Sequence, residues 1–442
     1  MFQHSASQLL DLSTRALEMA QQKGASSAEV DISETLGQTV QVRLGDVDQI
    51  EHQQDKSLDI TVYLGKSKGR ASTADFSDRA LNDTIEAAIN IARYTAQDEC
   101  AGLADADLMA HDIADLDKYH QWDISSEDAI QLALQCEQAA LNNDKRIFNS
   151  EGASVHAGHH QFVYGNTHGF LQHQKSSRHN ISCSVVARDE TGMERNYWFD
   201  GAADAKKLQS PIEIGKIAAQ RTVQSLGAKT VPTGIYPIVL DSVVSGSLIG
   251  HLVSALSGGA LYRQSSFLLD SLGKQVLPER FSLREEPHIL QAAASSYFDA
   301  EGVATCPRFV IENGIVQSYF LSSYSARKLN MRTTANAGGT HNLYLNHSHD
   351  TQADLLKDMG KGLLITKLMG QGVNLITGDY SRGAAGFWVE NGKIAYPVSG
   401  ITIAAQLQEM LLNIQGIAND SVPYSSNKIG SIWLDKMTVA SA

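Results

Sequence analysis

Six of the fifteen histidines of this 442-residue chain fall in one stretch: His156, His159, His160, His168, His173 and His179. Imidazoles bind metals, but a ligand set must converge on one ion at about 2 Å. These six stand in polar, strand-like sequence at irregular spacing, which predicts an exposed polar face. His347 and His349 form a sharper pair, because residues i and i+2 share one face of a strand. No third ligand accompanies them, and a helix start follows closely. A zinc peptidase helix carries His-Glu-x-x-His, with two imidazoles as ligands and the glutamate as base. No histidine in this chain is followed by glutamate.

Serine chemistry has one candidate, Gly65-Lys66-Ser67-Lys68-Gly69. A nucleophile elbow needs a strand-to-helix turn. Here a β-rich run, Ile60 to Leu64, meets more extended polar sequence, so a hairpin tip is expected. The P-loop pattern fails as well, since Ile60 stands where its first glycine belongs. Two acidic pairs remain, Glu285-Glu286 and Asp299 with Glu301. Paired carboxylates can do acid–base work, and Asp299 and Glu301 would share a face if they lay on a strand. Solvated charge is the commoner role for such pairs.

The elements that would carry these residues divide at the prolines. None precedes Pro211, and all eight lie from there onward. The breaker-rich run Gly227 to Gly234 reads as a linker. It separates an N-terminal α+β, sandwich-like domain (1–228) from a C-terminal domain (229–442). The first is expected to run helix (6–23), strands (28–74), helix (77–97), then helix (126–143), strands (146–200), helix (203–226). That order reads as a loose duplication. The second opens with a strand, Ile235 to Leu240, feeding a helix over 242–257. Asn313-Gly314 and Asn391-Gly392, each between β-rich flanks, predict two hairpins with type I′ turns. A mostly antiparallel, curved or barrel-like sheet with packed helices follows.

Composition narrows the function classes. Hydrophobic residues make up 43% and charged residues 19%, which suits globular domains with sizeable cores. A net charge of -13 repels phosphate backbones, and no basic run offsets it, so nucleic-acid binding is not expected. No apolar run reaches 18 residues, and the N-terminus has no secretory pattern, so no membrane span is expected. Cys100, Cys136, Cys183 and Cys306 are widely spaced and form no C-x-x-C pair. Reduced thiols and a cytoplasmic setting fit that usage.

The C-terminal half resembles the TldD/PmbA family. The residues that carry the likeness are 228–241, 248–259, 299–305, 377–383, 390–394 and 434–439, and their order and spacing span 228–442. The resemblance is closest to the PmbA (TldE) branch. In the TldD branch the helix after the entry strand carries His-Glu-x-x-x-His, and a cysteine near the C-terminus completes a zinc site. By that pattern Gly250 falls at the first histidine, His251 at the glutamate and Ala255 at the second histidine. The C-terminal stretch Val422 to Lys428 has no cysteine. The helix stripe itself persists as Val244, Leu248, Leu252 and Leu256.

The resemblance implies a chain with no catalytic residue, metal ligand or cofactor of its own. Zinc would sit in a TldD-like partner, in a heterodimer that acts on unfolded or extended peptide. Microcin-type peptide maturation, antitoxin degradation and the label "modulator of DNA gyrase" belong to that family. His251, Asp299 and Glu301 are candidate cleft-lining residues. A homodimer is one assembly open to the isolated chain. Two rival readings are an autonomous metallopeptidase built on His347 and His349, and a non-enzymatic protein that modulates a client by binding it.

Overall fold

The computed structural model describes residues 2–441. The N-terminal half runs α1 (Ala6–Gln22), β1 (Ser27–Arg43), β2 (Asp46–Leu64), β3 (Ser67–Thr73), α2 (Asp78–Tyr94), then α3 (Ser126–Leu141), β4 (Ile147–Asn166), β5 (Leu171–Asp189), β6 (Gly192–Ala202) and α4 (Pro211–Gln224). All four helices start on a serine, Ser5, Ser77, Ser125 and Ser210, whose side chain accepts a first-turn amide. Such caps satisfy donors that a helix start leaves open. The last helix begins at Pro211, later than the sequence pattern placed it. Proline fits the first helical position and not the interior.

The six strands form one antiparallel sheet in the order β3-β2-β1-β4-β5-β6. The chain therefore builds the same helix–three-strand–helix unit twice and joins the copies through β1 and β4. Alternate residues of β1 face the helices along its length. Val30 and Ile32 meet the α1 and α2 core, and Val40 and Val42 meet the α3 and α4 core. The opposite face carries the intervening polar residues of β1, with His156 and His160 from β4. Gly65 and Lys66 turn β2 into β3, and the Ser67 hydroxyl donates to the Thr95 carbonyl at 2.9 Å. The serine-nucleophile pattern is thus a hairpin, as expected.

The histidine-rich stretch is not an exposed face. His156 and His160 lie on the sheet face without helices, and His168 is exposed in the β4–β5 turn. His159, His173 and His179 point to the helix side. His179 is fully buried, edge-on to Trp122 and His159. Strand alternation divides the cluster between two faces. Burial holds His156, His159, His160, His173 and His179 below the usual histidine value. Groups held low bind fewer protons folded than unfolded, so their contribution is present above about pH 6.5 and is lost as pH falls through that value. These histidines favour a lower melting temperature at pH 5.5 than at pH 7.5, whereas Asp31 and Asp299, which burial pushes up to about 7, act in the opposite direction over the same window. Replacing His179 by Gln is therefore expected to make Tm fall less on acidification than in the parent chain, and an unchanged pH dependence would contradict this.

The C-terminal half runs β7 (Gly234–Leu240), α5 (Ser242–Ala255), α6 (Gly258–Tyr262), β8 (Leu283–Glu286), β9 (Arg308–Glu312), β10 (Ile315–Val316), α7 (Ser323–Lys328), β11 (Asn342–Leu345), α8 (Gln352–Met359), β12 (Gly362–Met369), β13 (Asp379–Glu390), β14 (Lys393–Gln406), α9 (Leu407–Leu412), β15 (Ile414–Ile417) and β16 (Ile432–Ser441). Strands β14-β13-β12-β7-β16 form a barrel, closed where Ile401–Ala404 pairs with Thr438–Ser441. All its pairings are antiparallel except that of β7 with β12. A smaller antiparallel sheet, β10-β9-β8-β11, stands beside it. Both Asn-Gly hairpins form with positive φ at each turn residue, 50° and 79° at Asn313 and Gly314, 50° and 73° at Asn391 and Gly392. The run 227–234 does not hang free. Lys229 donates its amide to Pro397 and accepts from Ser399, and Val231 is buried in the C-terminal core.

Candidate functional site

The helix that would carry a metallopeptidase motif is α5, which leaves the barrel strand β7 directly. Asp241 caps it, accepting the Val243 amide at 3.0 Å and the Gln352 side chain at 2.9 Å. Leu248, Ile249, Leu252 and Ala255 are buried against the barrel. Gly250 is exposed, and a side chain added there would meet open space. Ala255 is 0% exposed. Helical residues advance about 100° each, so positions five apart diverge by about 140° around the axis.

His251 is the one imidazole on α5. It is half-buried, with its ring edge-on to Tyr380 at 6.1 Å. Burial first, and the nearby Arg382 guanidinium second, hold it below the usual histidine value. Its Nε2 is buried without a hydrogen-bond partner, as is Arg382 Nε. Tyr380 and Arg382 come from the family-like block 377–383 on β13. Arg382 escaped the sequence reading as a site residue, and its place in that block was the available signal.

These positions do not fit a zinc ion. Glycine and alanine offer no side-chain ligand, and a fixed guanidinium beside the single imidazole disfavours a cation. The segment Val422–Lys428 contributes Tyr424, whose ring centroid lies 4.0 Å from that of Phe199 with the planes tilted by 36°, and lines a cavity of about 440 Å³ between the two halves of the molecule with Arg178, Asp200, Leu290, Tyr344 and Lys428. Among the described residues, no group of three or more His, Cys, Asp or Glu side chains is placed to hold a metal. His347 is exposed and off any strand. His349 is tied to the Ser348 hydroxyl at 2.8 Å and to Asp358 at 3.1 Å, so the strand-face pairing of these two histidines does not occur.

Asp299 and Glu301 do not share a strand face either, because they occupy a tight turn. Asp299 is buried and accepts the amides of Glu301, Val303 and Ala337 at 2.9, 3.0 and 2.9 Å. Burial first, and the Glu301 charge second, push it up to about 7 against the pull of those amides. Its role is to fasten the turn. Glu301 accepts the Ser323 amide at 2.8 Å and lines a cavity of about 850 Å³ with Glu29, Tyr63, Lys66, Lys68 and Tyr324. Glu29 receives the hydroxyls of Tyr63 and Tyr164 at 3.1 and 3.0 Å. Burial is the largest cause of its raised pKa. Glu285 is not solvated, since it is buried against Arg308 at 2.8 Å.

The architecture is a duplicated six-stranded sheet joined to a closed barrel, with α5 leaving one barrel strand directly. Comparison with known proteins gives the family. Residues 28–92, 119–226 and 233–441 match the first, central and C-terminal domains of the PmbA/TldA metallopeptidases. The chain is 49% identical to a Metalloprotease PmbA homolog of Haemophilus influenzae over 96% of this chain and 94% of that one. It is 47% identical to Metalloprotease PmbA of Escherichia coli O157:H7 over the same shares. The crystal structure of a candidate modulator of DNA gyrase from Bacteroides thetaiotaomicron superposes with a TM-score of 0.93 at 29% identity, covering 98% of both chains. The chain belongs to the PmbA/TldD metallopeptidase family, and its function is of the TldD/PmbA type, in proteolysis and peptide maturation.

Proposed function

We propose that this chain is the non-hydrolytic subunit of a two-subunit peptidase and grips an extended peptide for a zinc-bearing, TldD-like partner. The observation that carries the reading is α5. The helix is intact and packed, while its ligand positions hold an open glycine and a core alanine. A fold kept without its ligands retains value as a surface for a partner and a substrate. A subunit contact of this kind buries about 1,200–2,000 Å² or more. No helix among the described residues is long and apolar enough to cross a membrane.

The test is turnover of an unfolded peptide by this chain, by its TldD-like partner, and by the mixture. Only the mixture is expected to cleave at full rate, and a chelator should stop it. Elemental analysis of the purified chain should find no stoichiometric zinc. His251→Ala should leave assembly and metal content unchanged and lower turnover only modestly. Cleavage by this chain alone at the rate of the mixture would overturn the reading. So would loss of all turnover in His251→Ala with assembly intact, since His251 would then reach the reacting centre.

A further inference from the structure

The sheet of the N-terminal half has a long open edge on β2, beyond the end of β3. Strand β3 pairs with β2 only from Leu58 to Leu64, whereas β1 pairs with β2 from Asp46 onward. The distal half of β2 is therefore a sheet edge, and Asp46–Asp55 is exposed throughout. Among the described residues no backbone hydrogen bond or isolated bridge reaches that edge from outside the sheet. Asp48 is bulged opposite Gln41 and Val42, which blunts the end near the hairpin tip. From Gln49 to Ser57 the strand is regular, an open run of about 30 Å at about 3.4 Å per residue.

Its side chains differ by face. Val47, Ile50, His52 and Gln54 stand on the face that carries the helices. Gln49, Glu51, Gln53 and Asp55 stand on the polar face. Val47 is 48% and Ile50 43% exposed, so the helices do not cover them. Asp46, Asp48, Glu51 and Asp55 outweigh Lys56, the one lysine on this stretch. A second copy paired antiparallel would set these carboxylates against one another, and like charges facing across strands are destabilising. The edge thus rejects its own copy and remains open to a strand of opposite charge.

We infer that the β2 edge from Gln49 to Ser57 binds an extended, cationic peptide segment by strand addition. Main-chain hydrogen bonds would supply affinity without strict sequence, and side-chain pairing would supply selection. The peptide would carry Lys or Arg at alternate positions, facing Glu51 and Asp55, with apolar residues between them beside Ile50. This rests on the peptide-gripping role proposed above and names the substrate class and the place of the grip.

The test is direct binding to the full chain, read by anisotropy of labelled, unfolded nine-residue peptides. One peptide has lysine at every second position, and its counterpart has glutamate there. The lysine peptide should bind at least about tenfold more tightly, with the advantage shrinking in high salt, since exposed charges are screened. Glu51→Lys with Asp55→Lys, both on the exposed edge, should reverse the preference. N-methylation of alternate peptide amides should abolish binding in one parity and spare it in the other, a signature that charge attraction alone does not give. Equal binding of the two peptides, an unchanged preference in the double variant, or indifference to N-methyl parity would each overturn the inference. In those cases the proposed function stands if the reconstituted pair still outpaces the partner alone. It falls separately if the partner alone cleaves as fast as the pair.

Discussion

Glu285→Ala is expected to remove about 3–5 kcal/mol of stability, because it strands a buried guanidinium. The Glu285 side chain is 2% exposed and that of Arg308 14%. One carboxylate oxygen accepts Arg308 Nε at 2.8 Å, and the other accepts Asn336 Nδ2 and the His341 amide, each at 2.8 Å. Arg308 also donates to the Ser318 hydroxyl, to the Tyr319 carbonyl at 3.2 Å and to Asn336 Oδ1 at 2.8 Å. The pair thereby fastens β8 to β9 and to the loop that returns at Ala337, whose amide holds Asp299. Chemical denaturation of the C-terminal half reads the effect. Arg308→Ala should act in the same direction, leaving Glu285 as the unpaired charge. Replacing both with apolar residues of similar volume, Glu285→Leu with Arg308→Met, should recover much of the loss, because the desolvation cost of both ions disappears. A change below about 1 kcal/mol in Glu285→Ala would mean the carboxylate is effectively solvated, since surface pairs contribute that little.

The same residue marks where sequence reasoning stops. Glu285-Glu286 reads as solvated charge, and the cation beside it in sequence, Arg284, pairs with Glu286 and not with Glu285. Arg308 lies 23 residues on and reaches it only through the pairing of β8 with β9. Local patterns fared better. The duplicated half was legible because each copy carries two amphipathic helices around period-two strands, and both Asn-Gly hairpins formed because that dipeptide tolerates positive φ twice. Barrel closure by β14 and β16 joins residues 34 to 40 apart with no local signal, so only a curved or barrel-like sheet could be expected. His179 shows the limit of composition. Its neighbours along the chain are polar, yet strand alternation turns it under Trp122. Within the site, the residue types at Gly250, His251 and Ala255 are read directly from the sequence, and Arg382 could be flagged by its block, whereas its place beside His251 follows from the fold.

Rebuilding the motif with Gly250→His, His251→Glu and Ala255→His is expected to give a less stable chain and no peptidase. The three positions meet different surroundings. A histidine at 250 enters open space and should be tolerated alone. A histidine at 255 must enter a site that is 0% exposed, among Leu252, Leu256 and the barrel. Overpacking there costs about 1–3 kcal/mol, and burying the polar ring without a partner adds about 1–3 kcal/mol. A glutamate at 251 would face Arg382, which now bears on the imidazole, and an ion pair there would hold the carboxylate in place of freeing it as a base. A catalytic zinc needs three protein ligands and an open position for water. The segment Val422–Lys428 offers no cysteine, and the partners that orient metal-bound imidazoles, whose absence typically costs about 10–100-fold, are missing as well. Elemental analysis should find no stoichiometric zinc, and the fall in Tm should trace to Ala255→His measured alone. Robust, chelator-sensitive cleavage by the triple variant would show that a third ligand already stands near α5 and that Val422–Lys428 is not the segment that replaces the family's cysteine.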